Sequence, residues 1–127
     1  MYYVVRWFCP FCWKEVSEGD EICPHCGRDL RAFHSLSFED KLLLGLDNPV
    51  TQTRMFIIEL LGRKRVSKAA DKLCSMLFEK RDIYELMAIA KALYSIGSNA
   101  AIDCLKRRSF SEDLTPNFIK ELIKNSL

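Results

Sequence analysis

Export and membrane signals are the first features that the 127-residue chain lacks. No run of apolar residues is long enough to cross a bilayer. The N-terminal residues have neither the basic start nor the apolar core of a secretory signal. A hydrophobic content of 49% and a charged content of 28% are those of a soluble globular protein. We therefore expect a cytoplasmic protein that does not bind a membrane.

Signatures of catalysis are also missing. The five glycines are scattered without a phosphate-binding pattern, and the two histidines are His25 and His34. No nucleophile with a neighbouring base, and no pair of carboxylates, can be recognised along the chain. We expect a protein that is not an enzyme.

A strong charge of either sign is absent as well, since the formal net charge is +2. This value does not indicate a general attraction to nucleic acid or to an acidic membrane. Residues 1–35 hold four Lys/Arg and five Asp/Glu, whereas residues 36–127 hold fifteen and twelve. Any basic surface is therefore expected in the C-terminal part of the chain.

The chain does have six cysteines, and four of them form two Cys-x-x-Cys pairs. Ten residues separate Cys12 of the first pair from Cys23 of the second, and residues 18–20, Glu-Gly-Asp, suit a hairpin turn between them. A two-residue gap lets one tight turn direct two thiolates at the same ion, and two such turns complete a tetrahedron. The pattern predicts one structural Zn²⁺ bound by Cys9, Cys12, Cys23 and Cys26, with no coordination position open for catalysis.

Two alternatives concern the identity of the ligands and of the metal. His25 lies inside the second Cys-x-x-Cys pair and His34 lies just beyond it, so each is a possible replacement ligand. Iron competes with zinc, because four thiolates in a tetrahedron also suit a rubredoxin-like centre.

Residues 9–27 resemble the short zinc-ribbon family, whose pattern is Cys-Pro-x-Cys-Gly repeated after about ten residues. By that resemblance the four cysteines are the ligands, and residues 1–34 form a zinc ribbon, a β-hairpin with two metal-binding knuckles. The family's glycine after the first knuckle is Trp13 here. Trp13 either packs on the hairpin or the first helix, or contacts a partner.

The remaining residues carry the start signals of a series of helices. Ser37, Asn48 and Ser98 can each cap a helix, and Thr115 with Pro116 repeats this pattern for a last one. The periodicity of apolar residues predicts helices over residues 37–46, 49–62, 66–78, 82–96 and 98–108.

An internal repeat relates these helices. A shift of 32 residues aligns Ile57 with Ile89, Leu61 with Leu93, Ala69 with Ala101, Asp71 with Asp103 and Leu73 with Leu105. The units resemble the HEAT-like repeats first described in phycobilin lyases, through Asp47, Val50, Arg54 and Leu61-Gly62 in the first copy and Ala92-Leu93, Ile96-Gly97, Ala101 and Leu105 in the second. The resemblance implies that residues 35–127 form an all-α domain of about two and a half HEAT-like repeats, stacked as an α-solenoid.

Basic residues and two further cysteines complete the candidates. The clusters Arg63-Lys64-Arg65 and Lys106-Arg107-Arg108 either form solvated surface or bind an acidic protein or a phosphate backbone. We take Trp13, Arg63, Lys64, Arg65, Arg107 and Arg108 as candidate partner-binding residues. Cys74 and Cys104 are expected to be small core residues rather than redox partners.

These features favour a non-enzymatic zinc protein that binds a protein partner through its helical repeats, as a scaffold or adaptor. A homodimer is possible, because so few repeats leave apolar ends that need covering. The alternative is a nucleic-acid-associated zinc-ribbon protein, an accessory of the transcription or translation machinery. The acidic hairpin residues Glu15, Glu18, Asp20 and Glu21 argue against that alternative, because they repel phosphate.

Overall fold

The computed structural model describes residues 6–109 together with Glu121 and Lys124. The chain forms two compact units that divide between Val50 and Thr51. The first unit contains a β-hairpin, a 3₁₀ helix and one α-helix, and the second contains four α-helices within residues 51–109. The boundary predicted at residues 34/35 groups the first α-helix with the later ones, whereas in the structure this helix shares a unit with the hairpin.

The first unit begins with two short strands. Strand β1 (Trp7–Phe8) pairs antiparallel with β2 (Glu15–Val16), with Trp7 opposite Val16. These strands flank the first Cys-x-x-Cys pair rather than the predicted turn at residues 18–20, although that segment also turns, with the Asp20 amide donating to Ser17 O at 3.1 Å. A bridge between Ile22 and Asp29 flanks the second pair in the same way.

Two helices complete the first unit. A 3₁₀ helix, which the sequence did not predict, covers Leu30–Ser35 and is capped by Asp29. Helix α1 (Phe38–Gly45) follows, and its cap is the predicted Ser37, whose Oγ accepts a hydrogen bond from the Asp40 amide at 3.1 Å. The predicted hairpin followed by a mostly helical chain is therefore confirmed.

The second unit contains helices α2 (Thr51–Arg63), α3 (Ala70–Leu77), α4 (Ile83–Ile96) and α5 (Asn99–Ser109), and a short 3₁₀ turn, Ser67–Ala69, leads into α3. These bounds agree with the predicted helices to within a few residues. Ser98 caps α5, with its Oγ accepting from the Ala101 amide at 3.2 Å. The helix start predicted at Thr115 and Pro116 lies outside the described residues.

Contacts between these helices show which of them run side by side. Arg54 and Glu85, near the starts of α2 and α4, form an ion pair, and Gly62 meets Ala92 near their ends. Helices α2 and α4 are therefore parallel. Helices α3 and α5 are parallel as well, because Cys74 contacts Cys104 and Arg108 contacts the carbonyl of Leu77.

Burial repeats along the chain with the 32-residue period. The pairs Leu61/Leu93, Ala69/Ala101 and Leu73/Leu105 are each fully buried, whereas both members of the pair Asp71/Asp103 are exposed. The buried aligned residues therefore belong to one core shared by the four helices. Within the described part of the chain, no helix has the length and apolar character needed to span a membrane.

The expectation for Cys74 and Cys104 is corrected in one respect. The two residues form a disulfide that joins α3 to α5, with their Cα atoms 5.9 Å apart. Cys104 is fully buried, as expected of a core residue, and Cys74 is partly exposed.

Candidate metal centre

The two Cys-x-x-Cys segments form knuckles with the same backbone hydrogen bonds. In the first, the Cys9 amide donates to Lys14 O at 2.9 Å and the Trp13 amide donates to Cys9 O at 2.7 Å. In the second, Cys23 and Gly27 take the roles of Cys9 and Trp13, and both bonds measure 2.9 Å. This shared geometry directs the cysteine side chains of both knuckles toward one point.

Backbone amides also point at the sulfur atoms. The Phe11 amide donates to Cys9 Sγ and the His25 amide donates to Cys23 Sγ, both at 3.4 Å. The Cys26 amide donates to Cys23 Sγ at 3.5 Å. Hydrogen bonds of this kind favour the thiolate, which is the form that binds a metal.

The distances between the sulfur atoms fit one tetrahedral ion. Cys9 Sγ lies 3.8 Å from Cys26 Sγ, Cys12 Sγ lies 3.7 Å from Cys23 Sγ, and all four sulfurs lie within 4.8 Å of one another. A tetrahedron with metal–sulfur bonds of about 2.3 Å has edges of about 3.8 Å. The four cysteines can therefore hold one metal ion, and the geometry is compatible with a structural zinc that has no open position.

The pKa values of two of these thiols shift in opposite directions. Burial raises the pKa of Cys23, but amide hydrogen bonds from Cys26 and His25 and contacts with neighbouring sulfurs outweigh it and lower the pKa from 9.0 to about 6. For Cys12, a backbone hydrogen bond from Lys14 lowers the pKa, while burial and the three other sulfurs raise it to about 11. The thiolate is therefore favoured at Cys23 and opposed at Cys12, and a bound cation would favour the thiolate at both positions.

Neither histidine belongs to the cluster of potential ligands, which consists of the four cysteines. His25 Nε2 lies 3.1 Å from the backbone carbonyl of Glu15. The His34 ring packs edge-on against Phe33, with the ring centroids 6.1 Å apart. The structure therefore places both rings against protein groups.

Trp13 is half-buried and belongs to the packing of the first unit. Its Nε1 donates a hydrogen bond to the carbonyl of Leu44 in α1 at 3.1 Å. Its backbone has a φ of 62°, close to the 78° of Gly27 in the second knuckle. Of the two alternatives for Trp13, packing on the first helix is the one that the structure shows.

The first basic cluster is exposed at the end of α2. Arg63, Lys64 and Arg65 are all exposed, and Arg63 lies 3.8 Å from Glu59 in a solvent-accessible ion pair. Such a pair leaves the guanidinium available, because exposed ion pairs contribute little stability.

The second basic cluster is largely occupied by contacts within the protein. Arg108 is 5% exposed, and its Nε donates to the carbonyl of Leu77 at 3.1 Å. Arg107 is exposed but pairs with Asp103 at 3.1 Å, and both guanidinium groups lie over the ring of Phe78. The expected exposed cluster is therefore corrected for Arg108, which joins α5 to α3.

A surface cleft between α2 and α4 was missed by the sequence analysis. The α2–α4 cleft has a volume of about 490 Å³, and its lining includes Met55, Gly62 and Arg63 from α2 and Met87, Ala88 and Lys91 from α4. Tyr84, 68% exposed, also lines it. An adjoining cleft shares Gly62, Arg63 and Ser95 and adds Arg65 and Tyr94, so the groove continues toward the end of α4. The periodicity of α2 or of α4 alone does not reveal the cleft, because the cleft forms only where the two helices pack against each other.

No family model, no curated protein and no solved structure matches the chain.

Proposed function

We propose that the protein is a non-enzymatic, structural zinc protein that serves as a protein-binding scaffold or adaptor. Zinc bound by the four cysteines holds the small first unit in its fold, with every ligand position filled by sulfur. The helices of the second unit form a short HEAT-like solenoid that presents the binding surface.

The observation that carries this proposal is the α2–α4 cleft. Its lining combines flexible apolar side chains, Met55 and Met87, with the exposed ring of Tyr84. Methionine and tyrosine are enriched at protein interfaces, because they supply contact area and adapt to a partner. Phe56, 60% exposed on the same helix as Met55, adds to the apolar surface of α2. Apolar side chains exposed in and beside a groove support a protein-binding role.

The nucleic-acid alternative has weaker support. Glu15, Glu18 and Glu21 are exposed on the hairpin of the first unit, where a phosphate backbone would need positive charge. The exposed basic residues Arg63, Lys64 and Arg65 lie at the end of α2, and Arg63 and Arg65 line the groove there beside apolar side chains. A protein surface matches that combination better than a phosphate backbone does.

Site-specific photo-crosslinking tests the proposal. The zinc-loaded full chain carries a photoreactive phenylalanine analogue at Tyr84, inside the cleft, and is incubated with extract of its native cells with and without nuclease. We expect a protein to be crosslinked at this position whether or not nuclease is present. Crosslinking that disappears with nuclease would instead favour the nucleic-acid function.

A matched control places the same analogue at Lys106, which is exposed on α5 and does not line the α2–α4 cleft. The protein captured at Tyr84 should be absent or strongly depleted at Lys106. Equal capture at both positions would show non-specific contact and contradict a scaffold that works through this cleft.

A further inference from the structure

The α2–α4 cleft carries an asymmetric charge. Arg63 and Lys91 line it and Arg65 lies in its continuation, whereas Glu59 is the one acidic residue in its lining within the described part of the chain. Arg63 and Glu59 are 71% and 63% exposed and lie 3.8 Å apart, so their ion pair is readily exchanged for one with a partner. Lys91 and Arg65 form no ion pair within residues 6–109. The groove therefore presents positive charge that the described residues leave largely uncompensated.

The floor of the cleft is made of small residues. Gly62 of α2 lies so close to α4 that a Cβ at this position would stand 2.8 Å from Ala92 Cα. Ala88, Ala92 and Ser95 follow on α4 at spacings of four and three residues, so they share one face of that helix. Gly62 and Ala92 are buried against each other where α2 packs on α4, so the small side chains that remain accessible to a partner helix are Ala88 and Ser95.

The length of the cleft matches a short helix. Its lining on α4 runs from Tyr84 to Ser95, which corresponds to about 17 Å at the helical rise of about 1.5 Å per residue. A ligand helix of about three turns covers that distance. Met55 and Met87 offer apolar contact to it, and the basic residues lie beside the apolar floor.

We propose that the α2–α4 cleft binds an acidic amphipathic helix of a protein partner. The apolar face of that helix covers Met87 and Ala88 in the cleft. Its Asp or Glu side chains pair with Arg63, Arg65 and Lys91. This assignment rests on the proposed scaffold function and adds the chemical class of the partner. A helix-in-groove contact of this kind uses apolar anchors at helical spacing for affinity and charge for specificity.

A displayed library of helix-forming peptides of about 16 residues tests the proposal against the zinc-loaded full chain. We expect selection to enrich peptides with apolar residues at i, i+4 and i+7 and with Asp or Glu between them. The most enriched peptide, synthesised with a fluorophore, should bind in an anisotropy titration. Selection of basic or uncharged peptides, or no enrichment at all, would overturn the proposal.

Charge reversal gives the sharper measurement. The pair Arg63→Glu and Lys91→Glu should weaken binding of the acidic peptide by at least about tenfold. The pair Lys80→Glu and Lys106→Glu makes the same change of net charge at exposed positions outside the cleft and should alter binding by less than about twofold. The pair Arg63→Gln and Lys91→Gln removes the positive charges without adding negative ones. It should weaken binding of the acidic peptide by an amount between those of the other two variants. Equal binding by all of these variants would overturn the proposal.

The outcomes also separate this inference from the scaffold function. If the protein crosslinked at Tyr84 is still captured by the Arg63→Glu/Lys91→Glu variant, the scaffold function stands and the acidic-helix assignment fails. If a single-stranded oligonucleotide displaces the selected peptide and binds more tightly, the cleft belongs to a nucleic-acid surface, and both proposals fail.

Discussion

Among the residues that the structure describes, two other than glycine, Trp13 and Arg65, have left-handed backbone conformations, with φ values of 62° and 51°. Each has a glycine as its structural counterpart. Gly27, with φ 78°, follows the second knuckle as Trp13 follows the first, and Gly97, with φ 65°, ends α4, 32 residues after Arg65. The backbone at these positions therefore requires a conformation that side chains disfavour.

Replacing Arg65 with glycine should stabilise the helical unit. The Arg65 side chain is exposed, so the substitution loses little packing and relieves a left-handed conformation, which raises the free energy of unfolding by about 1 kcal/mol. Urea unfolding of zinc-loaded protein, followed by far-ultraviolet circular dichroism, measures this change. Glu59→Gly, at an exposed position inside α2, is the control and should lower stability by about 1 kcal/mol. A destabilised Arg65→Gly variant would contradict this explanation.

Glycine at position 13 should also relieve a left-handed backbone conformation, but the loss of the Trp13 side chain should lower stability by more than this relief raises it. Trp13→Phe keeps an aromatic ring but removes the hydrogen bond to Leu44 O, which lowers stability by about 1 kcal/mol. Trp13→Gly relaxes the backbone but also removes the packing, so we expect it to be the less stable of the two variants. Thermal unfolding of the zinc-loaded variants ranks them. A glycine variant more stable than the wild type would show that the contact with α1 contributes less than the relief of the left-handed conformation.

At the scale of helices and strands, the sequence was most informative about helix boundaries. Ser37 and Ser98 cap the helices predicted from them, because a side-chain cap is a local interaction. Contacts between helices were harder to predict. Residues that contact each other across two parallel helices are 30 or 31 positions apart in the sequence, as in Cys74–Cys104 and Arg54–Glu85. The sequence repeat, in contrast, has a period of 32 residues. The repeat alignment therefore separates two cysteines that the packing brings together.

A buried ionic network joins the starts of α2 and α4. Glu85 is 1% exposed and accepts hydrogen bonds from Arg54 at 2.7 and 3.1 Å and from Arg81 at 3.0 Å. Burial raises the pKa of Glu85, but the hydrogen bonds and charges of Arg54 and Arg81 outweigh it, so the pKa lies below its ordinary value of 4.5. The carboxylate is therefore bound as an anion between two cations.

This network should make the helical unit sensitive to acid. A carboxylate whose pKa is lowered by folding stabilises the protein above its unfolded-state pKa, near 4.5, and this contribution is lost as the pH falls through the lower folded-state value. Urea unfolding at several values between about pH 7 and about pH 3 measures the loss. Glu85→Gln should lower the free energy of unfolding by about 3 kcal/mol at neutral pH, because the two arginines lose their anionic partner. The stability of this variant should also depend less on pH below about pH 4.5 than that of the wild type. An unchanged pH profile in that variant would contradict the role of Glu85.

At the scale of the whole molecule, the metal centre was predictable and the cleft was not. The spacing of Cys9, Cys12, Cys23 and Cys26 defines two tight turns, and their convergence needs few further contacts. The α2–α4 cleft depends instead on Gly62 facing Ala92, thirty residues later in the chain. A pattern read along one helix does not contain that pairing.

The two units differ in what holds them together, and removal of the metal should reveal this difference. Among its described residues, 6–50, the first unit has few buried apolar side chains, with Leu42 and Leu46 as the buried leucines. The second unit has a continuous core that includes Ile58, Leu73 and Ile89. Zinc should therefore supply most of the folding free energy of the hairpin, on the order of 10 kcal/mol for structural sites. The helical core should need no metal.

We expect Cys9→Ser with Cys12→Ser, or treatment with a strong chelator, to abolish zinc binding and unfold the hairpin while most helical circular dichroism remains. Elemental analysis should find one zinc per chain in the wild type, and amide NMR should show signals of residues 6–35 collapsing while those of residues 51–109 stay dispersed. Cys74→Ser with Cys104→Ser is the matched control, since these cysteines lie outside the cluster and the variant should keep its zinc. Iron in place of zinc would contradict the assignment of the metal. If all helical circular dichroism were lost together with the zinc, the two units would fold as one cooperative unit. That outcome would contradict the expectation that the helical unit is stable without metal.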